Sequence, residues 1–236
     1  FVVVRLILME FIIKKENGIK MSLTDLANKY KTDKGTFGPA PHGFTDFYES
    51  FFSDIKDDVK KVLEIGVGPG DGTYAQAASL KMWNEYFSNA IIHGGDYQDF
   101  SNINTDKIKT HICDQFKNET LQALINNTGN DFDLIIDDGC HNTIAQQTTF
   151  GFLFPYVKSG GYYIIEDLHT SVWGGWGLPA NDKNSAYSFV LKMQNSKNVE
   201  TTYLSDEEKK YISENFEYCK VYDNEKDHIT SIIKKL

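Results

Sequence analysis

The residues with the chemistry of a polar catalytic centre fall in two short runs, Asp137-Asp138-Gly139-Cys140-His141 and Glu166-Asp167. Each run follows an apolar stretch, Leu134 to Ile136 in one case and Tyr162 to Ile165 in the other. Both therefore sit where a buried strand ends. Taken singly, either run reads as a turn after a strand. At neighbouring strand ends they bring at least three carboxylates into one crevice, where they repel unless protonated or bound to a cation. Oxygen donors suit Mg2+, Mn2+ or Ca2+. His141 follows at once. An imidazole with an unperturbed pKa of about 6.5 suits proton abstraction, above all from a hydroxyl acidified by a metal; the plain alternative is a helix N-cap.

A second chemical signal is Glu64-Ile65-Gly66-Val67-Gly68-Pro69-Gly70. Glycines at 66, 68 and 70, between a strand and a helix, let the backbone turn tightly and approach a ligand. A tight turn without a ligand is the structural alternative. Asp96 closes the next strand, where an acid accepts hydrogen bonds from a ribose diol. The spacing is GxGxG rather than the dinucleotide GxGxxG. A pyrophosphate is repelled by Glu64, whereas an amine or sulfonium is attracted. The turn therefore favours an adenosyl ligand carrying an amino acid over a nicotinamide dinucleotide. Trp173 and Trp176, in VWGGWG beyond the acidic pair, read as a wall for a sugar or as a stapled loop. His42 and His169 fall in or near expected lid loops, and His93, His111 and His228 read as structural or edge residues.

These residues need a scaffold that gathers strand ends. Strands are expected at 61–66, 90–96, 107–114, 131–138 and 161–167, with helices at 73–86, 116–126 and 142–155. Nearly continuous apolar strands alternating with helices mark a parallel sheet covered on both faces. Ser205 and Glu208 form a capping box for a helix over 206–214. Strands at 216–223 and 228–236, joined by a short polar turn, must pair antiparallel. Upstream, Ser22 or Thr24 caps a helix through Tyr30. A Gly/Pro-rich connector follows, and Thr45 to Phe52 resumes a helical pattern. The expected organisation is an N-terminal extension over 1–20, a helical cap or lid over 21–60 and the main domain over 61–236.

The 236 residues are 41% hydrophobic, enough for a sizeable core. Lys and Arg number 24 against 33 Asp and Glu, for a formal charge of −9, and Arg5 is the sole arginine. That balance argues against a nucleic-acid surface, which needs a basic stripe. Cys113, Cys140 and Cys219 form no CxxC motif, so a reducing, cytoplasmic setting is expected. The apolar start FVVVRLILMEFII is too short and too charged to span a bilayer. Such a stretch is expected to add a strand to a partner or to pack in a symmetric interface, making the chain a homo-oligomer.

EIGVGPG at 64–70, Asp96 and the terminal hairpin together resemble the class I S-adenosylmethionine-dependent methyltransferases. More specifically, four segments resemble the macrocin and mycinamicin sugar O-methyltransferase family: LANKYKTDKG (26–35), HGFTDFYESFF (42–52), VLEIGVGPGDGTYAQAASLKMWNEYFSNAIIHGGD (62–96) and FDLIIDDGCHNTIAQQTTFGFLFPYVKSGGYYIIEDLHTS (132–171). The resemblance implies an α/β Rossmann-like fold: a mostly parallel seven-stranded sheet with a C-terminal antiparallel hairpin and helices on both faces. It implies methyl transfer from S-adenosylmethionine to a sugar hydroxyl of a glycosylated natural product or glycan. Mg2+, with Mn2+ as the alternative, would be held by Asp138, Glu166 and Asp167, with His141 as base. Glu64 and the backbone of Gly66, Gly68 and Gly70 would hold the amino-acid end of the cofactor, Asp96 the ribose and Asp114 the adenine amine. Lys31, Asp33 and Lys34 would close the cofactor end, unless KTDKG is only a solvated charged turn. The acidic pair and the histidine base distinguish this branch from the catechol-type enzymes. Three other readings stand beside it. A nicotinamide-dependent oxidoreductase requires NAD binding, a metal-dependent hydrolase has no use for the glycine turn and Asp96, and a non-catalytic α/β interaction protein would tolerate loss of the acidic cluster.

Overall fold

The structure, a computed structural model, describes residues 20–38, 40–68, 76–224 and 228–236, together with Met9. Gly70 and most of the apolar start lie outside the described residues, so the expectations placed on them are not addressed by it.

Seven strands form one sheet. β1 (Lys61–Ile65), β2 (Ile91–Asp96), β3 (Ile108–Ile112), β4 (Phe132–Asp137) and β5 (Val157–Ile165) run parallel, and β6 (Phe216–Asp223) and β7 (Ile229–Lys235) close the chain. The order is β3-β2-β1-β4-β5-β7-β6, with β7 antiparallel to both neighbours. The expected hairpin is present, with its second strand inserted against β5. The sequence accounts for that order: Ile229, Ile232 and Ile233 are buried, whereas β6 buries only Phe216 and Cys219 and can take the edge. β5 begins at Val157, earlier than expected. A register irregularity opposite Phe132 and Leu134 lets the exposed Lys158-Ser159-Gly160 segment join the strand.

Strand parity sorts the side chains onto two faces. Leu63, Ile65, Ile135, Tyr163 and Ile165 enter one core, with Leu121 of α4 (Asn118–Thr128), Phe150 of α5 (Thr143–Leu153), Phe189 of α7 (Ala186–Ser196) and Ile212 of α8 (Asp206–Asn215). Val62, Leu134, Ile136, Tyr162 and Ile164 enter the other, with Leu26 of α1 (Leu23–Tyr30), Tyr48 and Phe52 of α2 (Thr45–Phe52) and Trp83 of α3 (Ala78–Tyr86). A short helix, α6 (Thr170–Trp173), follows the acidic end of β5. The described part of the helix expected at 73–86 starts at Ala78, after Ala77 in a left-handed conformation. Helix α7 was not anticipated. Ser185 caps it by accepting a hydrogen bond from Ser188 N, and Ala186, Phe189, Val190 and Met193 line its buried side.

Local chemistry fixes the N-terminal segment. Ser22 caps α1 in a capping box with Asp25, and Lys31 ends it in a left-handed conformation with φ 61°. The chain then turns through KTDKG. The backbone carbonyl of Lys34 accepts from the N–H groups of Phe44 and Thr45 at 2.9 and 3.2 Å, tying the turn to the start of α2. The Tyr48 and Thr230 hydroxyls, 2.8 Å apart, join α2 to β7.

Candidate functional site

Parity continues past the strand ends. Glu64 shares a face with Val62, Asp138 with Leu134 and Ile136, and Glu166 with Tyr162 and Ile164. All three carboxylates therefore project towards the face that α1 and α2 cover, where Lys34 meets them. Its Nζ lies 2.5 Å from Asp138 Oδ2, 2.8 Å from Glu166 Oε2 and 3.3 Å from Glu64 Oε1. Lys34, Glu64 and Glu166 are fully buried. Burial alone would pull the Lys34 ammonium down, but Asp138, Glu166 and Glu64 hold its pKa well above the usual lysine range. Burial pushes Glu64 up to about 7, with Asp138 adding to the shift and Lys34 opposing it. Burial likewise raises Glu166 and Asp167.

On the other side of Asp138 lies a cavity of about 850 Å³. Gly66, Gly68, Asp96 and Asp114 line one end, and Asp138, His141, Asp167 and Trp176 the other. Both glycines sit at close approaches. Gly66 has φ +95°, and a Cβ there would lie 2.1 Å from the Asp138 carbonyl oxygen. A Cβ on Gly68 would meet the Phe100 ring at 2.9 Å. Asp96 accepts from Val67 N and Gln98 N, both at 2.9 Å, so its carboxylate is locked beside the turn. Asp114 pairs with Lys117 at 2.8 Å and remains partly exposed. Glu64, Glu166 and Lys34 stand behind the cavity wall rather than in it. Among the residues expected to touch a cofactor, the structure thus brings Gly66, Gly68, Asp96 and Asp114 to the cavity and holds Glu64 and Lys34 back.

Asp138, His141 and Asp167 each offer a ligand atom, all within 4.8 Å of one another. Glu166 is outside that group, but its Oε1 is buried with no hydrogen-bond partner. A buried carboxylate oxygen without a donor is uncommon, and a cation is one partner that would satisfy it. The oxygen-rich donor set fits a hard divalent ion. His141 Nε2 lies 3.4 Å from Asp167 Oδ2. Both residues adopt φ 55°, in the left-handed region that few non-glycine residues occupy. The alternative reading of His141 as the N-cap of α5 fails. Asn142 caps that helix, its Oδ1 accepting from Ile144 N and Ala145 N at 3.0 and 3.2 Å.

Asp167 also faces His42 Nδ1 at 3.2 Å and His169 Nδ1 at 3.8 Å. His228 stacks on His42 with ring centroids 4.2 Å apart, and Trp173 lies over His169 at 4.3 Å. Burial and the neighbouring imidazoles lower His169 to about 3, so it stays neutral. Sequence reading missed this aromatic group because it joins residues from three distant loops. It also missed Tyr97 and Phe116, exposed rings that line the glycine end of the cavity. Their signal was local: each directly follows or nearly follows an acid at a strand end.

Asp137 takes no part in the cluster. It faces the opposite side of the sheet, where Gln115 Nε2 and Gly139 N approach its Oδ1 at 3.3 Å and Oδ2 has no partner. Burial pushes this carboxyl up to about 7. The native state therefore keeps a proton that the unfolded chain releases near pH ~4. The resulting stability is fully present below that unfolded pKa and is lost as pH rises through the folded value. Asp137→Asn keeps the accepting oxygen and removes the charge. It should stabilise the protein by about 1–3 kcal/mol at pH 8 and by little at pH 5, a difference that Tm in denaturation scans will read. Equal Tm values at pH 8 would show that the ionised side chain is not a burden.

No protein-family model matches the chain. Curated relatives do. The chain is 34% identical over 171 residues to the L-olivosyl-oleandolide 3-O-methyltransferase of Streptomyces antibioticus, covering 72% of this chain and 43% of that protein. It is 38% identical over 162 residues to the mycinamicin VI 2''-O-methyltransferase of Micromonospora griseorubida, covering 69% and 40%. The chain thus spans less than half the length of these relatives. Among solved structures, the MycE methyltransferase of the mycinamycin biosynthetic pathway, in complex with Mg, SAH and mycinamycin VI, superposes with a TM-score of 0.75 at 30% identity. The match covers 92% of this chain and 55% of that one. Among the described residues, no helix is long and apolar enough to cross a membrane.

Proposed function

We propose that this chain, a homologue of the antibiotic sugar O-methyltransferases with the class I methyltransferase fold, transfers a methyl group from S-adenosylmethionine to a sugar hydroxyl. The acceptor class is a glycosylated natural product or a glycan. One observation carries the reading: a single cavity joins the glycine turn and Asp96 to Asp138, His141 and Asp167. Its volume of about 850 Å³ suits an adenosyl ligand meeting part of a second substrate.

At the glycine end, the backbone of Gly66 and Gly68 receives the amino-acid portion, with the charge of Glu64 behind it. Asp96 accepts the ribose hydroxyls, and Asp114 accepts from the adenine amine between Tyr97 and Phe116. At the other end, Asp138, Glu166 and Asp167 are the residues that would hold Mg2+. When bound there, the ion acidifies an acceptor hydroxyl. His141 Nε2 takes the proton, and its exposure to the cavity lets it reach an incoming hydroxyl. Trp176, whose ring centroid lies 6.0 Å from that of His141, shields the site and offers a face to a sugar ring. A homo-oligomer and a cytoplasmic location belong to the same proposal.

Calorimetry with S-adenosylhomocysteine and NAD tests the core of this reading. Adenosylhomocysteine should bind and NAD should not; the reverse would point to hydride chemistry. In Asp96→Ala the affinity for adenosylhomocysteine should fall about 5- to 150-fold, the equivalent of 1–3 kcal/mol for losing a buried acceptor. Unchanged affinity would move the ribose contact elsewhere.

A further inference from the structure

Lys34 is the only cation in direct contact with Glu64, Asp138 and Glu166 among the described residues. A lysine is almost never fully buried unless it is paired, and this one is paired three times. Its backbone carbonyl accepts from Phe44 N and Thr45 N, which fixes the turn that carries the side chain. The pairing uses one oxygen of Asp138 and one of Glu166, and it leaves Glu166 Oε1 without a partner. Asp138 is thus shared. It touches Lys34 on one side and the cavity with His141 and Asp167 on the other.

We propose that Lys34 is a positioning residue that stands in for the divalent cation. It keeps the three carboxylates assembled while the site is empty, and it lowers the affinity for the cation by sharing Asp138 and Glu166 with it. The inference rests on the metal reading above. Two effects of removing the ammonium oppose each other. Loss of an orienting partner typically weakens a metal site about 10–100-fold. Loss of a positive charge that acts on the same carboxylates strengthens it, and with three carboxylates left without their countercharge, two of them fully buried, that effect is the larger. The cation is therefore held loosely in the free protein and is retained when the acceptor adds its own oxygens.

The test is Mn2+ binding to the full chain, followed by electron paramagnetic resonance without cofactor or acceptor. Lys34→Met should bind Mn2+ on the order of tenfold more tightly than wild type. Lys34→Arg, which keeps the charge, should stay near wild type. Equal or weaker binding in Lys34→Met overturns the proposal and makes Lys34 a structural strut. If Lys34→Met does not fold, Lys34→Gln, which keeps a hydrogen-bond donor and removes the charge, takes its place; Mn2+ binding no tighter than in wild type then overturns the proposal. A wild type that binds no Mn2+ at all removes the metal reading itself, a failure distinct from the others.

Discussion

Replacing His141 with alanine is expected to lower kcat by about 10²–10⁴-fold, the usual cost of losing a general base, while adenosylhomocysteine binds as in wild type. The separation of effects follows from position. His141 stands at the acidic end of the cavity, with Nε2 3.4 Å from Asp167 Oδ2, away from the glycine turn and Asp96. The neighbouring histidines are poor substitutes. His169 is held neutral with its pKa near 3, too weak a base for a hydroxyl proton. His42 is stacked on His228 and turned to the other oxygen of Asp167. Because residue 141 has φ 55°, asparagine is the better control for backbone strain, since it accepts the left-handed region more readily than alanine. Both variants should retain Mn2+ binding, as expected of a base rather than a ligand. A wild-type rate in His141→Ala across pH 6–9 would remove the assignment.

The second large effect concerns the cation and the acceptor together. EDTA should abolish turnover and Mg2+ should restore it, whereas adenosylhomocysteine binding should persist in EDTA because its contacts lie at the ends of β1, β2 and β3. The same chelation logic constrains the acceptor. A sugar with two neighbouring hydroxyls supplies two oxygens to one cation, and its analogue lacking the neighbour supplies one. The analogue should react poorly, with much of the defect in KM. The assay is methyl transfer to such a pair, each with EDTA or Mg2+. Full activity in EDTA with equal rates for both acceptors would reject bidentate chelation and leave the carboxylates a purely structural task.

Much of the scaffold was legible because burial on both faces forces continuous apolar strands, and KVLEI, FDLII and YYII are of that kind. The acids at their ends follow the strands without a gap, so Asp138, Glu166 and Asp167 could be placed at neighbouring ends from the sequence. Lys34 could be singled out as charged but not assigned to its partners. Its contacts cross 104 and 132 residues to Asp138 and Glu166, and they depend on a left-handed Lys31 and on carbonyl bonds inside a turn. Side-chain periodicity carries no record of such backbone geometry. The stacking of His42 on His228 is hidden for the same reason. Helix α7 differs: its cap and its apolar spacing are present in the sequence, but the strand–helix alternation ends at β5 and nothing in that alternation demands it.

Gly66 and Asp138 meet backbone to backbone, with no room for even a methyl group between them. Close-packed backbone does not compress, so a displacement on one side is passed to the other. The adenosyl ligand would rest against one partner of that contact and the cation against the other. Any coupling that passes through that contact is symmetrical: the factor by which the cation changes the affinity for the adenosyl ligand equals the factor by which the adenosyl ligand changes the affinity for the cation. The glycine that makes room is the point at which the two ends of the cavity touch.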